Sequence, residues 1–543
     1  MGIKNIIMIS IDALRFDCVG YQKDKRFLKK NGVLEHLDTA AFDALAERGV
    51  CFSQAITTSP YTTNSHASIF TGCYPPRHNV RAFFSTKLSP SVKTMAEILK
   101  ENNYLTMHYF DGAYMFESTG LNRGIDRVTD GSDDEKFLKG LKEVSGRKVF
   151  LFAHFFDVHD PYIFSHHVQR KHGFDSEYER WKEDAGKKLN FNEELPKNPY
   201  NAFHLLRKKL IEKGSAHEVL IPAYIKGVSR FLNGRFLNFI NGLKESGVLT
   251  DDSLLVIFSD HGEARYGPDF THGGVLFEDV IRIPLVFSCP ALLPESKPVD
   301  AQVSTVDILP TVLDIAGIDY SHKEFMQGRT LLPLMAGCDF YNASPAYSEY
   351  WSETIDAGLM RRRVLDGHGG LLGVSHTRDK KWQQSLRTPE HKFIFNHHPS
   401  TKENVDDILK NTEGLSNGNF IEEAYRRVLV REPDPEGFNN AKKQIDRGLG
   451  RGQFLKAIYS SLEYTNLNGD LMVDITALKG EEKWIGISEP FFSRYNDAKK
   501  IVDEICPATP ESSTPEEEEK IAFTDSGEEE KVMGRLRDLG YME

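Results

Sequence analysis

The stretch that decides the fold runs from Asn5 to Asp12 and reads Asn-Ile-Ile-Met-Ile-Ser-Ile-Asp. Residues Asn5–Ile11 are nearly all apolar and rich in isoleucine, which is typical of a strand buried on both faces of a parallel sheet. Asp12 follows directly, so its carboxylate should lie at the carboxyl end of that strand. Sheets of this type bind ligands at the carboxyl ends of their strands. The first strand thus predicts both a fold class and the edge that carries the site.

Apolar strand patterns alternate with helical patterns in the region that follows. Further buried strands are predicted at Lys148–His154, Ser253–Ser259 and Ile283–Ser288. Amphipathic helices are predicted at Leu37–Gly49, Val92–Asn102 and Tyr224–Ser246. The polar, lysine-rich residues 163–222 indicate a helical excursion between strands. This alternation predicts an α/β fold with a mainly parallel sheet flanked by helices.

Acidic and imidazole side chains come directly after two of these strands. Asp12 ends the first strand, and Asp260 and His261 end another, with Gly262 allowing a tight turn. An adjacent Asp and His can both reach one divalent metal, for which carboxylate and imidazole groups are suitable ligands. Structural alternatives stay open, because Asp12 could cap a helix or pair with Arg15, and the later segment could be an ordinary turn.

Three more titratable groups, His154, Asp157 and His159, follow a third strand. A histidine in such a loop can hydrogen-bond a substrate oxygen or protonate a leaving group, and we assign this role to His159. His154 is left open between a structural and a functional role. His272 lies soon after the Asp-His pair and could bind anion oxygens or a second metal.

A run of hydroxyl side chains opens the stretch Thr62–Gly72, which reads TTNSHASIFTG. The residues from Ser65 onward predict the first turn of a helix, whose amides and dipole favour an anion. A hydroxyl is a poor nucleophile alone and a good one beside a divalent metal. Taken by itself, the run would be an ordinary Ser/Thr helix cap.

The composition excludes several classes of function. The net charge of −12 is concentrated in Glu516–Glu519 and Glu528–Glu530, which predict a solvated tail, and no basic stripe indicates a nucleic-acid partner. The six cysteines show no CxxC spacing, so reduced thiols are expected. No apolar stretch reaches the roughly 18–20 residues of a transmembrane helix. We therefore expect a cytoplasmic protein with no transmembrane segment.

Composition changes along the chain predict three parts. Residues 1–400 form a catalytic domain that ends in a small antiparallel subdomain. Residues 404–470 form a small all-α module, and its helices are predicted at Phe420–Leu429, Phe438–Gly448 and Gln453–Tyr464. Residues 471–543 form an extension in which 505–531 are an acidic disordered linker and Val532–Tyr541 a terminal helix.

Together these motifs resemble the sulfatase branch of the alkaline phosphatase superfamily. The resemblance is carried by Ser10–Asp17, Gly49–Phe52, Thr62–Pro75, His159–Tyr162, Ser259–Glu263, Arg282–Leu285, Asp307–Thr311 and Arg535–Tyr541. It implies an alkaline-phosphatase-like sheet for the catalytic domain. Residues 419–464 separately resemble the small bacterial DUF4214 module, which often occurs beside surface-glycan enzymes and secreted proteins.

The resemblance to the sulfatase branch implies roles for single residues. The implied metal ligands are Asp12, Thr62, Asp260 and His261. The metal would be Mn²⁺, Zn²⁺, Mg²⁺ or Ca²⁺, and Thr62 would also be the covalent nucleophile. His159 and His272 would contact substrate oxygens or the leaving group. One or two ions are compatible with these residues, because Asp157, His159 and His272 could supply a second site.

The chain also departs from the family at several positions. Sulfatases carry Cys or Ser at the place of Thr62, followed by x-Pro-Ser-Arg, so that this residue can be oxidised to formylglycine. Here Thr63-Asn64-Ser65-His66 follows, and threonine is not a substrate for that oxidation. Threonine is the nucleophile of phosphodiesterase and phosphoglycerol-transferase relatives. Ile11-Asp12 replaces the usual Asp pair, and Phe83 stands where many relatives carry an Asn for the oxyanion.

We therefore predict a metal-dependent hydrolase of phosphate esters, acting on a phosphodiester or a phosphonate monoester. The first alternative is a transferase that moves a phospho-alcohol group onto a surface glycan, since the helical module could present an acceptor. A sulfuric ester hydrolase without formylglycine and an inactive binding subunit are the others. The substrate would be a phospho- or sulfo-ester that a glycan or lipid could carry, and a homo-oligomer stays open.

Overall fold

The computed structural model describes most of the catalytic region and parts of the C-terminal region. The described residues are 3–81, 86–110, 114–131, 133–144, 146–162, 176–191, 194–197, 199–264, 272, 276–319, 326–337, 345–351, 382–388, 391–397, 409–410, 412–424, 435–459, 471–474, 483–485 and 501. The tail helix predicted at Val532–Tyr541, the acidic linker and Phe83 lie outside them.

A main sheet of eight strands forms the centre of the fold. Its strands are β1 (Asn5–Ile11), β2 (Val50–Ile56), β3 (Leu105–Phe110), β4 (Arg127–Asp130), β5 (Val149–Phe155), β6 (Leu254–Phe258), β7 (Arg282–Ser288) and β8 (Lys297–Ser304). Their order is β4-β3-β5-β1-β6-β7-β2-β8. Only β7 is antiparallel to its neighbours β6 and β2. The predicted mainly parallel α/β sheet is thereby confirmed.

Helices cover both faces of this sheet, because its apolar strands have side chains to bury on each face. The α-helices before β6 are Arg26–Lys30, Ala40–Ala46, Thr62–Thr71, Pro75–His78, Met95–Glu101, Tyr114–Thr119, Asp134–Gly140, Ser176–Leu189, Pro199–Glu212, Ala216–Phe231 and Leu237–Glu245. The later ones are Glu278–Ile281, Ile308–Ile315, Leu332–Met335, Asn417–Ala424, Pro435–Asp446 and Arg451–Tyr459. Short 3₁₀ turns occur at Phe16–Cys18, Leu34–His36, Leu141–Val144 and Thr305–Asp307. Among the described helices, none is long and apolar enough to span a bilayer.

The core consists of two layers, one on each face of the sheet. Every residue of β1 is buried, and the strand alternates between the layers: Ile7 and Ile9 pack into one, and Ile6 and Met8 pack into the other. A strand covered on both faces has no side that faces water, so polar residues need not alternate with apolar ones along it. This explains why β1 is nearly all apolar and why its bounds could be predicted.

A second, antiparallel sheet of five strands follows in the chain. Its strands are β9 (Ala346–Trp351), β10 (Trp382–Arg387), β11 (His391–His397), β12 (Leu471–Asp474) and β13 (Lys483–Ile485), in the order β13-β12-β11-β10-β9. The predicted antiparallel subdomain is present, but β12 and β13 lie beyond the boundary expected at residue 400. The segment from 471 onward therefore adds two strands to this sheet instead of forming only an extension. Such long-range pairing leaves no local signal in the sequence.

The helical module is an insertion between two adjacent strands. In the register of β11 and β12, Ile394 lies opposite Leu471 and His391 opposite Asp474. The strand ends at His397 and Leu471 therefore come close together. The described module helices Asn417–Ala424, Pro435–Asp446 and Arg451–Tyr459 have their own small apolar core, formed by Phe420, Ile421, Ala424, Ala441, Ile445, Phe454 and Leu455.

Buried charges join the second sheet to the main one. The carboxylate of Glu278 accepts a hydrogen bond from Arg387 at 3.0 Å and from Lys392 at 3.3 Å. Burial alone would raise the pKa of Glu278, but these two cations lower it to about 2. The neighbouring Asp279 accepts a hydrogen bond from Glu263 N at 3.1 Å through its backbone carbonyl. The second sheet thus anchors the loop that follows β6.

Candidate active site

Side chains from separate parts of the chain meet at the carboxyl ends of β1, β5 and β6. The hydroxyl of Thr62 lies 3.2 Å from Oδ2 of Asp12 and 3.5 Å from Nε2 of His261. The same Nε2 lies 3.5 Å from Oδ1 of Asp12 and 3.6 Å from Oδ2 of Asp260. These four side chains are almost completely buried. The strand order β5-β1-β6 produces this convergence, as the topological argument predicts.

The hydroxyl of Thr62 is presented by the first turn of a fully buried helix. That helix spans Thr62–Thr71, three residues earlier than the predicted start at Ser65, and Gly72 ends it in the left-handed region at φ 66°. Tyr61 holds the cap position and makes no side-chain capping bond. The hydroxyl run therefore does not cap this helix, contrary to the structural alternative considered for it. Ser65 Oγ donates to Asp260 O at 2.8 Å and ties this helix to the end of β6.

Asp12 also lacks the structural partners considered for it. Arg15 pairs with Asp17 at 2.9 Å and with Asp279 at 2.8 Å. The 3₁₀ turn that begins after Arg15 has no side-chain cap. The carboxylate of Asp12 is consequently directed at the other side chains of the cluster.

Hydrogen bonding fixes the tautomer of His261. Its Nδ1 lies 2.9 Å from the carbonyl oxygen of Gly262, and a carbonyl can only accept, so Nδ1 carries the proton. In the neutral ring, the lone pair of Nε2 then faces Asp12, Asp260 and Thr62. Burial alone would lower the pKa of His261, but the charges of Asp260 and Asp12 raise it. An imidazole that donates through one nitrogen and offers the other is the usual state of a metal ligand.

The pKa values of the two carboxylates, Asp12 and Asp260, are shifted in opposite directions. Burial raises the pKa of Asp260, and the nearby charge of Asp12 raises it further. The pKa of Asp12 is lowered in spite of burial, because His159 and the other histidines stabilise its charge. A cation bound between the two carboxylates would offset their mutual repulsion.

Several atoms of the cluster make no hydrogen bond, although buried polar atoms are normally paired. They are Oδ1 of Asp12, Oδ2 of Asp260 and both ring nitrogens of His154. Asp12, His154 and Asp260 can each place one ligand atom within 4.8 Å of the others. Two carboxylates, imidazole nitrogens and a hydroxyl make a donor set that fits a divalent metal such as Mn²⁺, Zn²⁺ or Mg²⁺. The residues present therefore fit the metal that the sequence predicts.

His154 is the cluster member that sequence reasoning left undecided. Its Nε2 lies 3.3 Å from Oδ2 of Asp12, an ion-pair distance without the alignment of a hydrogen bond. His154 pairs in register with Ser10, two residues before Asp12. The sequence offered a signal for a functional role of His154, because this residue lies near the carboxyl end of a predicted buried strand, and that strand, β5, neighbours β1.

His159 and His272 lie together beside this cluster. Their rings are 4.7 Å apart, and the ring of His272 is 4.3 Å from that of His261. His159 donates from Nδ1 to Asp160 O at 2.6 Å, so its Nε2 is the nitrogen that can exchange a proton. His272 Nδ1 lies 3.3 Å from Oε2 of Glu263, and burial lowers the pKa of His272. The structure thus places His159 and His272 beside the cluster of Asp12, Thr62, Asp260 and His261.

Asp157, considered as a ligand for a second metal, is engaged elsewhere. Its Oδ2 accepts a hydrogen bond from Arg235 at 2.8 Å, and the pair is largely buried. Within the described part of the chain, the only group that meets the geometric requirements of a metal site is the one with Asp12, His154 and Asp260.

Sequence reasoning missed the contribution of His66. Its Nδ1 donates to the carbonyl of Thr62 at 2.7 Å, and its Nε2 accepts from Ser10 Oγ at 2.9 Å. Burial, reinforced by the charge of His154, lowers the pKa of His66 far enough to keep the ring neutral. His66 thereby links the first turn of the Thr62 helix to β1. Its position one turn after Thr62 was the available signal.

Two family profiles match the chain. The profile described as Sulfatase matches residues 4–318, which include every site residue above. The profile described as a domain of unknown function, DUF4214, matches residues 407–468 and coincides with the inserted helical module.

Curated relatives carry sulfatase names. An uncharacterized sulfatase of Escherichia coli K12, YidJ, is 24% identical over 54% of this chain and 66% of its own length. A Delta 4,5-hexuronate-2-O-sulfatase of Bacteroides thetaiotaomicron is 23% identical over 62% of this chain and 76% of its own. The chain thus spans about two thirds to three quarters of these relatives.

Solved structures share the fold. A protein of Bacteroides thetaiotaomicron described as a candidate sulfatase superposes with a TM-score of 0.53 at 17% identity, covering 92% of both chains. A phosphonate monoester hydrolase of Silicibacter pomeroyi superposes with a TM-score of 0.50 at 17% identity, covering 88% of this chain and 99% of its own. At these identities the likeness establishes the fold alone.

Proposed function

The chain belongs to the sulfatase family of ester hydrolases, and on that premise we propose that it hydrolyses phosphate esters with Thr62 as its covalent nucleophile. The substrate would be a phosphodiester or a phosphonate monoester. One observation carries the proposal: the residue whose hydroxyl lies among Asp12, Asp260 and His261 is a threonine. An aldehyde made from Cys or Ser is thereby excluded at this position, and the proposal assigns the nucleophilic role to the unmodified hydroxyl.

A divalent metal bound here would lower the pKa of the Thr62 hydroxyl and offset charge on the substrate oxygens. The residues that would hold it are Asp12, Thr62, Asp260 and His261, with His154 beside them. The buried carboxylates would fix the position of Thr62 relative to the ester. His66 would keep the first turn of the helix in place through its bond to Thr62 O.

The reaction would proceed in two displacements. Thr62 would react as its alkoxide, after losing its proton to solvent. The alkoxide oxygen would attack phosphorus, the bond from phosphorus to the alcohol would break, and the departing oxygen would take a proton from Nε2 of the doubly protonated His159 ring. Water would then attack the phosphoryl-threonine and give one proton to the same nitrogen, while the bond from phosphorus to Thr62 breaks and the alkoxide of Thr62 leaves the second product. His272 would contact a substrate oxygen beside His159, since their rings are 4.7 Å apart.

Sulfate ester hydrolysis by unmodified Thr62 is the second candidate. The names of the curated relatives favour it, including the hexuronate sulfatase of Bacteroides thetaiotaomicron. The same side chains could stabilise a sulfuryl group, which has the same tetrahedral shape. Threonine favours the phosphoryl reading, because it departs from the residue type that the oxidised sulfatases require.

The test replaces Thr62 by alanine in the full-length protein loaded with metal. Turnover of an aryl phosphodiester or phosphonate ester should be abolished while the folded state survives. Thr71→Ala is a matched control, since it removes a buried hydroxyl at the other end of the same helix, where it bonds Ala67 O and Cys73 N. Near-wild-type turnover by Thr62→Ala would show that the nucleophile is assigned wrongly.

A further inference from the structure

An irregular turn interrupts the long helix that packs behind the site loop. The α-helix Ala216–Phe231 passes into a π-helical turn at Leu232–Phe236, and an α-helix resumes at Leu237–Glu245. A π turn accommodates one residue more than the regular repeat, and such turns are frequent at functional sites. Arg235 lies within this turn and points towards the loop that follows β5.

The guanidinium of Arg235 is held on several sides. Its Nε and Nη2 atoms donate two parallel hydrogen bonds of 2.9 Å to the carboxylate of Asp134. Nη2 also donates to Gly131 O at 2.7 Å. The guanidinium stacks over the ring of Phe155 at 4.8 Å. A bidentate carboxylate pair fixes both the position and the plane of an arginine. Arg235 is therefore a rigid support rather than a mobile surface charge.

The remaining nitrogen of this guanidinium holds Asp157. Nη1 of Arg235 donates to Oδ2 of Asp157 at 2.8 Å, and the two side chains are only 8% and 4% exposed. A buried carboxylate bonded to a buried guanidinium is held in place, because breaking such a pair is strongly destabilising. Asp157 thus serves as an anchor point in the loop that carries the predicted leaving-group acid.

His159 follows this anchor by two residues in a tight turn. The backbone N–H of His159 donates to Phe156 O at 3.0 Å, so Asp157 lies inside the turn that sets the direction of the His159 ring. The ring is also held through Nδ1 by Asp160 O. A displacement of Asp157 would rotate the turn and move Nε2 of His159.

We propose that Arg235 is a positioning residue that acts through Asp157 to direct His159 at the leaving-group oxygen of the ester. This inference rests on the proposed function. It implies a specific kinetic effect: Arg235 matters most where the departing alcohol needs a proton. A 4-nitrophenolate leaves without one, whereas an alkyl alcohol depends on the acid.

The experiment compares esters that differ only in their leaving group, from 4-nitrophenyl through phenyl to alkyl phosphonates. Arg235→Met should lower kcat at least about tenfold more for the alkyl ester than for the 4-nitrophenyl ester, as a misplaced general acid would. Arg235→Lys should restore part of the loss, and metal content should match that of the wild type. Asp157→Asn, which keeps the shape of the side chain, should show the same dependence if Arg235→Met fails to fold.

Arg123→Met is the matched control. Arg123 also ties loops together through backbone carbonyls, at Ser89 and Val92, but it precedes β4, an edge strand parallel to β3, and so lies at the amino ends of the strands, away from the site. Its loss should not change the leaving-group dependence. An equal loss across all leaving groups in Arg235→Met, or no loss, would overturn the inference. If the wild type turned over none of the phosphonates but hydrolysed aryl sulfates, the proposed function would be overturned instead. Sulfate esters with the same series of leaving groups would then test the role of Arg235.

Discussion

The hydroxyl oxygen of Thr62 lies 3.2 Å from Oδ2 of Asp12, although fifty residues separate the two in the chain. One atom belongs to the first turn of a buried helix and the other to the end of β1. No general structural need brings a threonine hydroxyl to a buried carboxylate beside a second carboxylate and two histidines. A site that binds a cation and activates a hydroxyl accounts for this arrangement.

His154 should support metal binding although it was not among the predicted ligands. We expect His154→Gln to weaken metal affinity by about 10- to 100-fold, which is typical when a group next to the ligands is lost. The measurement is the metal dissociation constant by competition with a chromophoric chelator. His108→Gln is the matched control, because His108 is equally buried on the adjacent strand β3 and lies outside the cluster. Unchanged affinity in His154→Gln would remove His154 from the site.

Loss of Asp260 should have a larger effect on metal binding. Asp260→Asn keeps the shape of the side chain and removes a charge whose Oδ2 makes no hydrogen bond in the cluster. Bound metal should fall well below one ion per chain after dialysis, as measured by elemental analysis. Full retention of metal by Asp260→Asn would show that the ion lies elsewhere.

Glu278 should make stability depend on pH. Its pKa is lowered from 4.5 to about 2, so it stabilises the fold above pH 4.5, and this contribution is lost as the pH falls towards 2. The shift corresponds to about 3 kcal/mol in the free energy of unfolding. Glu278→Gln should lose about that much at pH 7, measured by denaturant unfolding, and its difference from wild type should shrink below pH 4.5. A constant difference at all pH values, or none in excess of the exposed control Glu245→Gln, would contradict the assignment.

The inserted module should be dispensable for hydrolysis of a small ester. Since β11 and β12 are antiparallel neighbours, replacing residues 401–467 with a short glycine-rich turn should leave the sheet intact and kcat/KM unchanged. Truncation after residue 400 is the contrasting variant, because it removes β12 and β13 and leaves the edge of β11 unpaired. That variant should be less stable or aggregate. Loss of activity in the excised protein, with the fold retained, would give the module a catalytic role.

Much of the site could be predicted from the sequence because its residues lie at strand ends. The bounds of β1 match the prediction, since a nearly continuous apolar run is typical of a strand covered on both faces. The convergence of Asp12, Asp260 and His261 follows from the parallel order of β1 and β6. Only the side-chain contacts determine that His154 joins them while Asp157 turns to Arg235.

Other features leave no local signal. The helix predicted as one piece at Tyr224–Ser246 begins at Ala216, and a π turn at Leu232–Phe236 interrupts it. The strands β12 and β13 join the second sheet across the inserted module. Their pairing depends on contacts that are distant in sequence, which local patterns do not encode.

The most direct test of phosphoryl chemistry at Thr62 is the ratio of kcat/KM for 4-nitrophenyl phenylphosphonate to that for 4-nitrophenyl sulfate, measured on the same metal-loaded wild-type protein. The leaving group is identical, so the ratio reports only the group that is transferred. Phosphoryl transfer by unmodified Thr62 predicts a ratio far above one, with both activities lost in Thr62→Ala. A ratio at or below one would contradict the proposal and assign the protein to sulfate ester hydrolysis.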